Sequence, residues 1–243
     1  MMDISGFTIS DMVRNDYRTA DVFKKYNLSY CCSGNIPLQS ACEAKGIDFD
    51  ELSAELRKST RTFVLSNALP FDEWRPDFLI DYITHVHHAY IYQILPSLSA
   101  SLESFVTGHQ SKYPELNSLP ELFARLTESL LQHNHYEDEI IFPYIKQIEA
   151  AYRRKESYGN LLVRTLRKPL QNIEKEHLKI QDLSAKLKLL TNEFTPPDTA
   201  CLNYVVIFKK LEELYQNLVQ HKYLEHEVLF PKALAIEQKL LQL

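Results

Sequence analysis

The chain has 243 residues, of which 45% are hydrophobic and only 5 are glycine, so it can fill a sizeable core and is poor in turn-forming residues. Its formal net charge of −5 argues against the strongly basic surface of a nucleic-acid-binding protein. No stretch approaches the roughly 18 apolar residues that a membrane helix needs, and the N-terminus lacks the pattern of a secretion signal. We therefore expect a globular cytoplasmic protein that binds neither nucleic acid nor membrane.

Two helical domains are predicted. Residues 1–60 contain two short helical segments, 19–28 and 38–46, each followed by residues that favour turns. Residues 61–76 contain two prolines and no sustained hydrophobic period, so we expect a linker there. The remaining chain, 77–243, forms the second domain.

The second domain predicts four long helices. Apolar residues recur at helical spacing in four stretches, at about 77–105, 118–150, 159–192 and 198–243. Ser118 is expected to cap the second helix, Pro96 to kink the first, and Pro169 to kink the third or to break it near its start. Four such helices favour an up-down-up-down arrangement. The predicted fold class is all-α, a four-helix bundle preceded by a small helical domain.

One motif occurs twice in the second domain. The sequence HNHYEDEIIFP at 133–143 and the sequence HKYLEHEVLFP at 221–231 both contain His-x-x-x-Glu, with a proline six residues after the Glu. Residues four apart lie on one face of an α-helix, so the imidazole and the carboxylate can meet at one point. This spacing is typical of metal ligands.

A further histidine precedes each motif at a matching distance. His88 lies 45 residues before His133, and His177 lies 44 residues before His221. The predicted ligand set is therefore four imidazoles and two carboxylates, namely His88, His133, Glu137, His177, His221 and Glu225. Such a set suits two metal ions, because imidazole binds iron, zinc or copper and bridging carboxylates neutralise charge.

The same residues allow three other interpretations. His135 and Glu139 are also four residues apart, but the second copy has Tyr223 and Glu227 at the matching positions, so only one register is repeated. A ferritin-like di-iron site needs Glu-x-x-His twice, and that spacing occurs once, ending at His177. A metal-free structural bundle is the third reading. The other histidines are expected at the surface or around the ligands: His85, His87, His109 and His226.

The four cysteines do not suggest a secreted disulfide framework. Cys31 and Cys32 precede the predicted helix at 38–46, whose N-terminal dipole would favour a reactive thiolate. They are candidate thiols for transferring iron or electrons to a client protein, the alternative being inert buried cysteines. Cys42 and Cys201 are expected to be inert.

These motifs resemble those of a known family. The two repeated motifs and the upstream segments HVHHAYIYQILP and EKEHLKIQD are similar to the hemerythrin-like domain of di-iron proteins that repair iron-sulfur clusters after oxidative and nitrosative damage. The segment RTADVFKKYNLSYCCSGNIPLQSACEAKGI is similar to the small double-cysteine domain that precedes the bundle in that family. The resemblance implies two non-haem iron ions held by the six predicted ligands, with Glu176 as a carboxylate close to the metals.

The resemblance also implies an open coordination position. Ile91 stands three residues after His88, where some relatives have another histidine. Such a position suits O2, NO or peroxide, or the release of iron. The expected function is repair of iron-sulfur clusters in damaged client proteins under stress, by iron donation, NO chemistry or both, in a cytoplasmic homodimer. An O2 or NO sensor or store and an NO or peroxide reductase are the alternatives.

Overall fold

A computed structural model describes residue 4 and residues 6–31, 34–61, 69–166 and 169–242 of the chain. The described residues form α-helices, two short 3₁₀ turns and three π-helical segments, and they contain no β-strand. The predicted all-α class is confirmed. In the same part of the chain, no helix combines the length and the apolar character needed to cross a membrane.

The chain divides into two compact units, and each is discontinuous in sequence. The smaller unit comprises Met1–Asn67 and Phe194–Lys210, and the larger comprises Ala68–Glu193 and Leu211–Leu243. Residues 194–210, which lie within the second predicted domain at 77–243, are grouped with the N-terminal residues in the structure.

Side-chain contacts explain why residues 194–210 group with the smaller unit. Val206 is part of that unit's apolar core, and the Lys210 ammonium pairs with the Asp21 carboxylate. The predicted linker at 61–76 is described only in part, since residues 62–68 lie outside the described residues; Phe71–Glu73 form a 3₁₀ turn.

The N-terminal part of the smaller unit has four short helices: α1 (Ile9–Asn15), α2 (Thr19–Lys25), α3 (Leu38–Lys45) and α4 (Phe49–Ser59). Thr8 and Asp48 begin α1 and α4, because their side chains accept hydrogen bonds from backbone N–H groups of the first turn. Gly46 ends α3 in the left-handed conformation, as its sequence position predicted. Phe23 and Leu52 are completely buried in the core of this unit.

The larger unit is built from longer helices: α5 (Pro76–Tyr82), α6 (Ala89–His109), α7 (Leu119–Tyr136), α8 (Phe142–Arg154), α9 (Gly159–Leu166), α10 (Pro169–Leu190), the later part of α11 (Leu202–Tyr223) and α12 (Phe230–Leu241). A π-helical segment joins α5 to α6, α7 to α8, and α11 to α12, at Ile83–His88, Glu137–Ile141 and Leu224–Leu229. The four predicted long helices therefore correspond to α5–α6, α7–α8, α9–α10 and α11–α12.

The sequence did not predict the π-helical segments. Pro143 and Pro231 each lie two residues after such a segment, and proline has no N–H to donate to the carbonyl four residues earlier. Pairing with a carbonyl five residues away widens the helix locally, and such π-turns are frequent at functional sites.

The predicted helix boundaries were right in part. Pro169 is the first residue of α10, which agrees with a break in the third predicted helix. Ser118 does precede α7, but its backbone is already helical and its side chain accepts no capping hydrogen bond, because a 3₁₀ turn at Pro114–Ser118 leads directly into the helix. The capping prediction was wrong.

The core of the larger unit lies along the π-helical segments. Helix α7 packs against α6 and α10, and α8 packs against α5 and α12. Ile83, Ile141, Leu224 and Leu229 come from the three π-helical segments and are fully buried. One side of each segment is therefore dry and apolar, which strengthens electrostatic interactions made by the polar side chains that the same segments carry.

Candidate metal centre

The structure brings all six predicted ligands together in the larger unit. All six are nearly fully buried, with exposures of 5% or less. They form two groups that share both carboxylates, and the ligand atoms within each group lie within 4.8 Å of one another. The first ligand group is His88 and His221 with Glu137 and Glu225, and the second ligand group is His133 and His177 with the same two glutamates.

Distances between the imidazoles match the division into two groups. The Nε2 atoms of His88 and His221 are 3.1 Å apart, and those of His133 and His177 are also 3.1 Å apart. Two nitrogens that each lie about 2.1 Å from one ion, at nearly a right angle, are separated by about 3 Å. Each histidine pair therefore fits two ligands of one ion.

The shared carboxylates supply the strongest indication of a cation. The four carboxylate oxygens of Glu137 and Glu225 are all buried, and imidazole nitrogens of the ligand histidines approach them: His221 Nε2 lies 2.8 Å from Glu225 Oε1, and His133 Nε2 lies 3.2 Å from Glu137 Oε2. Burying two carboxylates in one site costs several kcal/mol unless positive charge compensates them. Two cations held between the carboxylates would remove that cost, and the nitrogen and oxygen donors suit iron or zinc. The residues present therefore fit a pair of metal ions.

Charges within the centre stabilise one another. Burial raises the pKa of Glu137, but the charge and hydrogen bond of His133 outweigh it and hold the pKa of Glu137 well below its usual value. Burial lowers the pKa of His133, but the Glu137 carboxylate raises it overall to about 10. Burial likewise lowers the pKa of His221, but the Glu225 carboxylate raises it overall to about 9. Without a metal, these imidazoles carry protons that a metal would displace.

These pKa shifts predict how the stability of the metal-free protein depends on pH. The raised pKa values of His133 and His221 contribute stability that is present below the ordinary histidine pKa of 6.5 and lost as the pH rises through 9 to 10. The lowered pKa of Glu137 contributes stability that is present above pH 4.5, the ordinary pKa of glutamate, and lost in more acidic solution. Thermal melts followed by circular dichroism should therefore show a falling melting temperature above pH 6.5. A double variant, His133→Asn with His221→Asn, should lose that slope, and an equal slope in both proteins would contradict the assignment.

Polar side chains contact the Nδ1 atoms of three ligand imidazoles. The Nδ1 atom of His88 lies 2.9 Å from Asp138 Oδ1, and the Nδ1 atom of His133 lies 3.4 Å from Glu176 Oε2. The Nδ1 atom of His177 lies 2.5 Å from His226 Nε2. Such contacts fix the ring orientation and leave Nε2 directed at the metal. Glu176 was predicted close to the metals, and the structure places it beside a ligand.

Asp138 was not predicted from the sequence, although the repeat contained a signal for it. Asp138 follows Glu137 just as His226 follows Glu225, and each contacts the upstream histidine of its own half. His87 shows the same relation to Glu176, because each directly precedes an upstream histidine. The ring of His87 is buried and stacks on His221 at 5.7 Å. Comparing the two copies position by position would have added Asp138 to His87, Glu176 and His226, which were already candidates near the ligands.

The competing register is not supported by the structure. His135 and Glu139 are exposed and belong to neither ligand group. His85 is also exposed, and the Nδ1 atom of His109 lies 2.7 Å from the backbone carbonyl of Phe105. These histidines have no place in the metal centre.

A cavity of about 400 Å³ reaches the ligands from between α7, α10 and α11. Its wall includes His133, His177, His221 and Glu225. Apolar side chains form much of the remaining wall, among them Leu130, Ile180 and Leu218. The arrangement gives a small, weakly polar molecule a route to the second ligand group in particular.

The cysteine roles stay predictions. Helix α3 begins at Leu38, as predicted, and Cys31 precedes it by seven residues, so Cys31 is not part of its first turn. Cys32 lies outside the described residues. Cys42 is buried, and burial raises the pKa of its thiol, which agrees with an inert residue.

Comparisons with known proteins agree with this geometry. Residues 79–233 match the hemerythrin HHE cation binding domain, and residues 6–60 match ScdA_N, described as a domain of unknown function. The chain is 31% identical over 223 residues to the iron-sulfur cluster repair protein YtfE of Escherichia coli O1:K1 / APEC, E. coli strain SMS-3-5 and Escherichia fergusonii. The aligned region covers 90% of this chain and 93% of each relative.

Proposed function

Because the chain belongs to the hemerythrin HHE cation-binding family and to the family of iron-sulfur cluster repair proteins, we propose that it repairs iron-sulfur clusters damaged by oxidative or nitrosative stress. The proposed cofactor is a pair of non-haem iron ions. The observation that carries the proposal is the pair of ligand groups that share two buried carboxylates.

The ligand groups suit iron that must be reactive or exchangeable. When bound, a pair of irons supplies reversible exchange between ferrous and ferric states. Each group offers two imidazoles and two shared carboxylates, which leaves room for a further ligand in a six-coordinate site. Ile91 is buried and apolar where another imidazole would complete a more closed set. The protein's own contribution is to hold the imidazoles by Asp138 and Glu176 and to keep the surroundings dry.

A second function, binding of a small neutral molecule, is favoured by the cavity beside the second ligand group. Its largely apolar wall suits O2 or NO better than a charged metabolite. On this alternative the protein is an O2 or NO sensor or store, or it reduces NO or peroxide at the same irons. Removal of NO is also compatible with repair, because it would protect clusters in client proteins.

The proposed partners are proteins whose iron-sulfur clusters have been damaged. The proposal further includes a homodimer, which rests on the family resemblance and the small N-terminal domain, and a location in the cytoplasm. Size-exclusion chromatography with light scattering measures the oligomeric state, and cell fractionation measures the location.

Repair is tested with an iron-sulfur dehydratase inactivated by NO or peroxide. Adding the anaerobically iron-loaded protein should restore activity well beyond the level that an equal amount of ferrous iron restores in the presence of a chelator. Glu139→Gln alters an exposed residue and should behave as the unaltered protein does. If activity is not restored while the optical spectrum shows that NO binds, the sensor or store is the better description.

A further inference from the structure

His87 is a buried imidazole that belongs to neither ligand group. It directly precedes the ligand His88 in the π-helical segment Ile83–His88, and it is 1% exposed. Consecutive residues of a regular α-helix point about 100° apart, yet both of these histidines are buried. Neither ring nitrogen of His87 has a hydrogen-bond partner among the described residues, so its contacts are made by the face and the edge of its ring.

The ring of His87 lies beside the ligand His221. The two rings are nearly parallel, with 9° between their planes and 5.7 Å between their centroids. Aromatic rings at such a separation attract each other when they are offset. The polar contacts of His221 to the described residues are all made by its Nε2 atom, to His88, Glu137 and Glu225. His221 therefore differs from the other three ligand imidazoles, whose Nδ1 atoms each meet a polar side chain.

Aromatic side chains hold the ring of His87 in turn. The Tyr82 ring meets it edge to face, with 5.7 Å between the centroids and 68° between the planes. Tyr82 itself packs against Trp74 at 5.5 Å and against Phe71 at 5.7 Å. All of these residues belong to the larger unit. Packing therefore fixes the position of His87, as it must for a residue that orients a metal ligand.

The internal repeat supports the same role for His87. His87 and Glu176 occupy matching positions, because each directly precedes the upstream ligand of its own half. Glu176 contacts His133, which lies in the first copy of the repeated motif. His87 contacts His221, which lies in the second copy. Each of the two residues therefore contacts the ligand that the opposite half supplies, one through a partly exposed carboxylate and the other through a buried ring.

We propose that His87 is a positioning residue, whose ring holds the His221 imidazole in the orientation that directs Nε2 at the ion of the first ligand group. The proposal rests on the metal pair of the proposed function, and it does not depend on the reaction that the irons support. Because the contact is made by a flat ring and not by a nitrogen, phenylalanine should replace His87, and an aliphatic side chain should not. Changing a group that orients a metal ligand typically weakens metal binding by about 10–100-fold.

Release of iron to a chelator, from full-length protein loaded anaerobically with ferrous iron, tests the proposal. His87→Leu should release one of the two ions about tenfold faster than the unaltered protein does, because only the first ligand group contains His221. His87→Phe should release both ions at the unaltered rates. Both replacements are apolar and fill the site, so the two metal-free variants should melt at similar temperatures. His85→Leu changes an exposed residue of the same π-helical segment and should leave the release unchanged.

Cobalt(II) in place of iron provides a second measurement, because its visible absorption bands depend on the geometry of its ligands. His87→Leu should change the bands of one of the two bound ions, and His87→Phe should retain the bands of the unaltered protein. Equal release rates in these two variants, or faster release of both ions from His87→Leu, would overturn the proposal. An unaltered protein that takes up no iron would overturn the metal centre as well, whereas failure of cluster repair alone would leave these rates unchanged.

Discussion

Replacing Glu137 with glutamine is expected to reduce the iron bound from about two ions per chain to one or fewer. Glu137 belongs to both ligand groups, so its carboxylate contributes to both ions. Glutamine keeps the size of the side chain but removes the charge and one acceptor oxygen, and two cations would then share a single anionic bridge. The measurement is metal analysis after anaerobic reconstitution and desalting, with circular dichroism to show that the helices remain.

The repeated motif supplies matched controls for this substitution. Glu225→Gln should cause a similar loss, since Glu225 is the equivalent residue of the second copy and also belongs to both groups. Glu139→Gln and His135→Ala change exposed residues within the first copy and should leave the iron content unchanged. Equal losses in all four variants would show that the wrong register had been assigned.

Removing the metal is expected to lower the melting temperature by roughly 10 °C. Loss of the cations leaves buried charged groups less well compensated, at a cost of several kcal/mol. The melting temperature of a protein the size of the larger unit changes by about 2–4 °C for each kcal/mol. In the metal-free protein, only the neighbouring imidazoles compensate the charge of the two buried carboxylates. Burial and the charge of Glu137 both act to raise the pKa of Glu225, although the neighbouring imidazoles keep it below its usual value overall. Thermal melts before and after chelation measure the effect.

A double variant, Glu137→Leu with Glu225→Leu, should abolish this dependence on metal. Removing only the carboxylates leaves the buried imidazoles without their anionic partners, and breaking a buried ion pair in this way costs about 3–5 kcal/mol. The metal-free double variant should therefore melt below the metal-free unaltered protein, and iron should not raise its melting temperature. Glu139→Leu with Glu227→Leu is the control, because these exposed residues occupy matching positions in the two copies. A melting temperature of the test variant equal to or above that of this control would contradict the prediction.

Much of the metal centre could be predicted because the two halves of the bundle repeat the same pattern. Four-residue spacing places His133 with Glu137, and His221 with Glu225, on one face of a helix whatever surrounds them. Matching distances to His88 and His177 then add one histidine from each remaining long helix. The helical class follows just as directly, from long stretches of apolar residues at helical spacing with few glycines.

Contacts between distant segments could not be predicted from spacing along the chain. Which histidines share an ion depends on how four helices pack, and the structure pairs His88 with His221 rather than with His133. The contact between Asp138 and His88 depends on the same packing.

The amino-acid sequence by itself determined the helices, their repeat and the six residues of the metal centre, because these depend on local spacing along the chain. Only the tertiary structure decided that residues 194–210 join the N-terminal unit, where Val206 enters the apolar core and Lys210 pairs with Asp21. Such long-range contacts are selected by the burial of apolar surface, which depends on area rather than on sequence order. The π-helical segments belong to the same class, since packing around Pro143 and Pro231 determines where the backbone changes its hydrogen bonds.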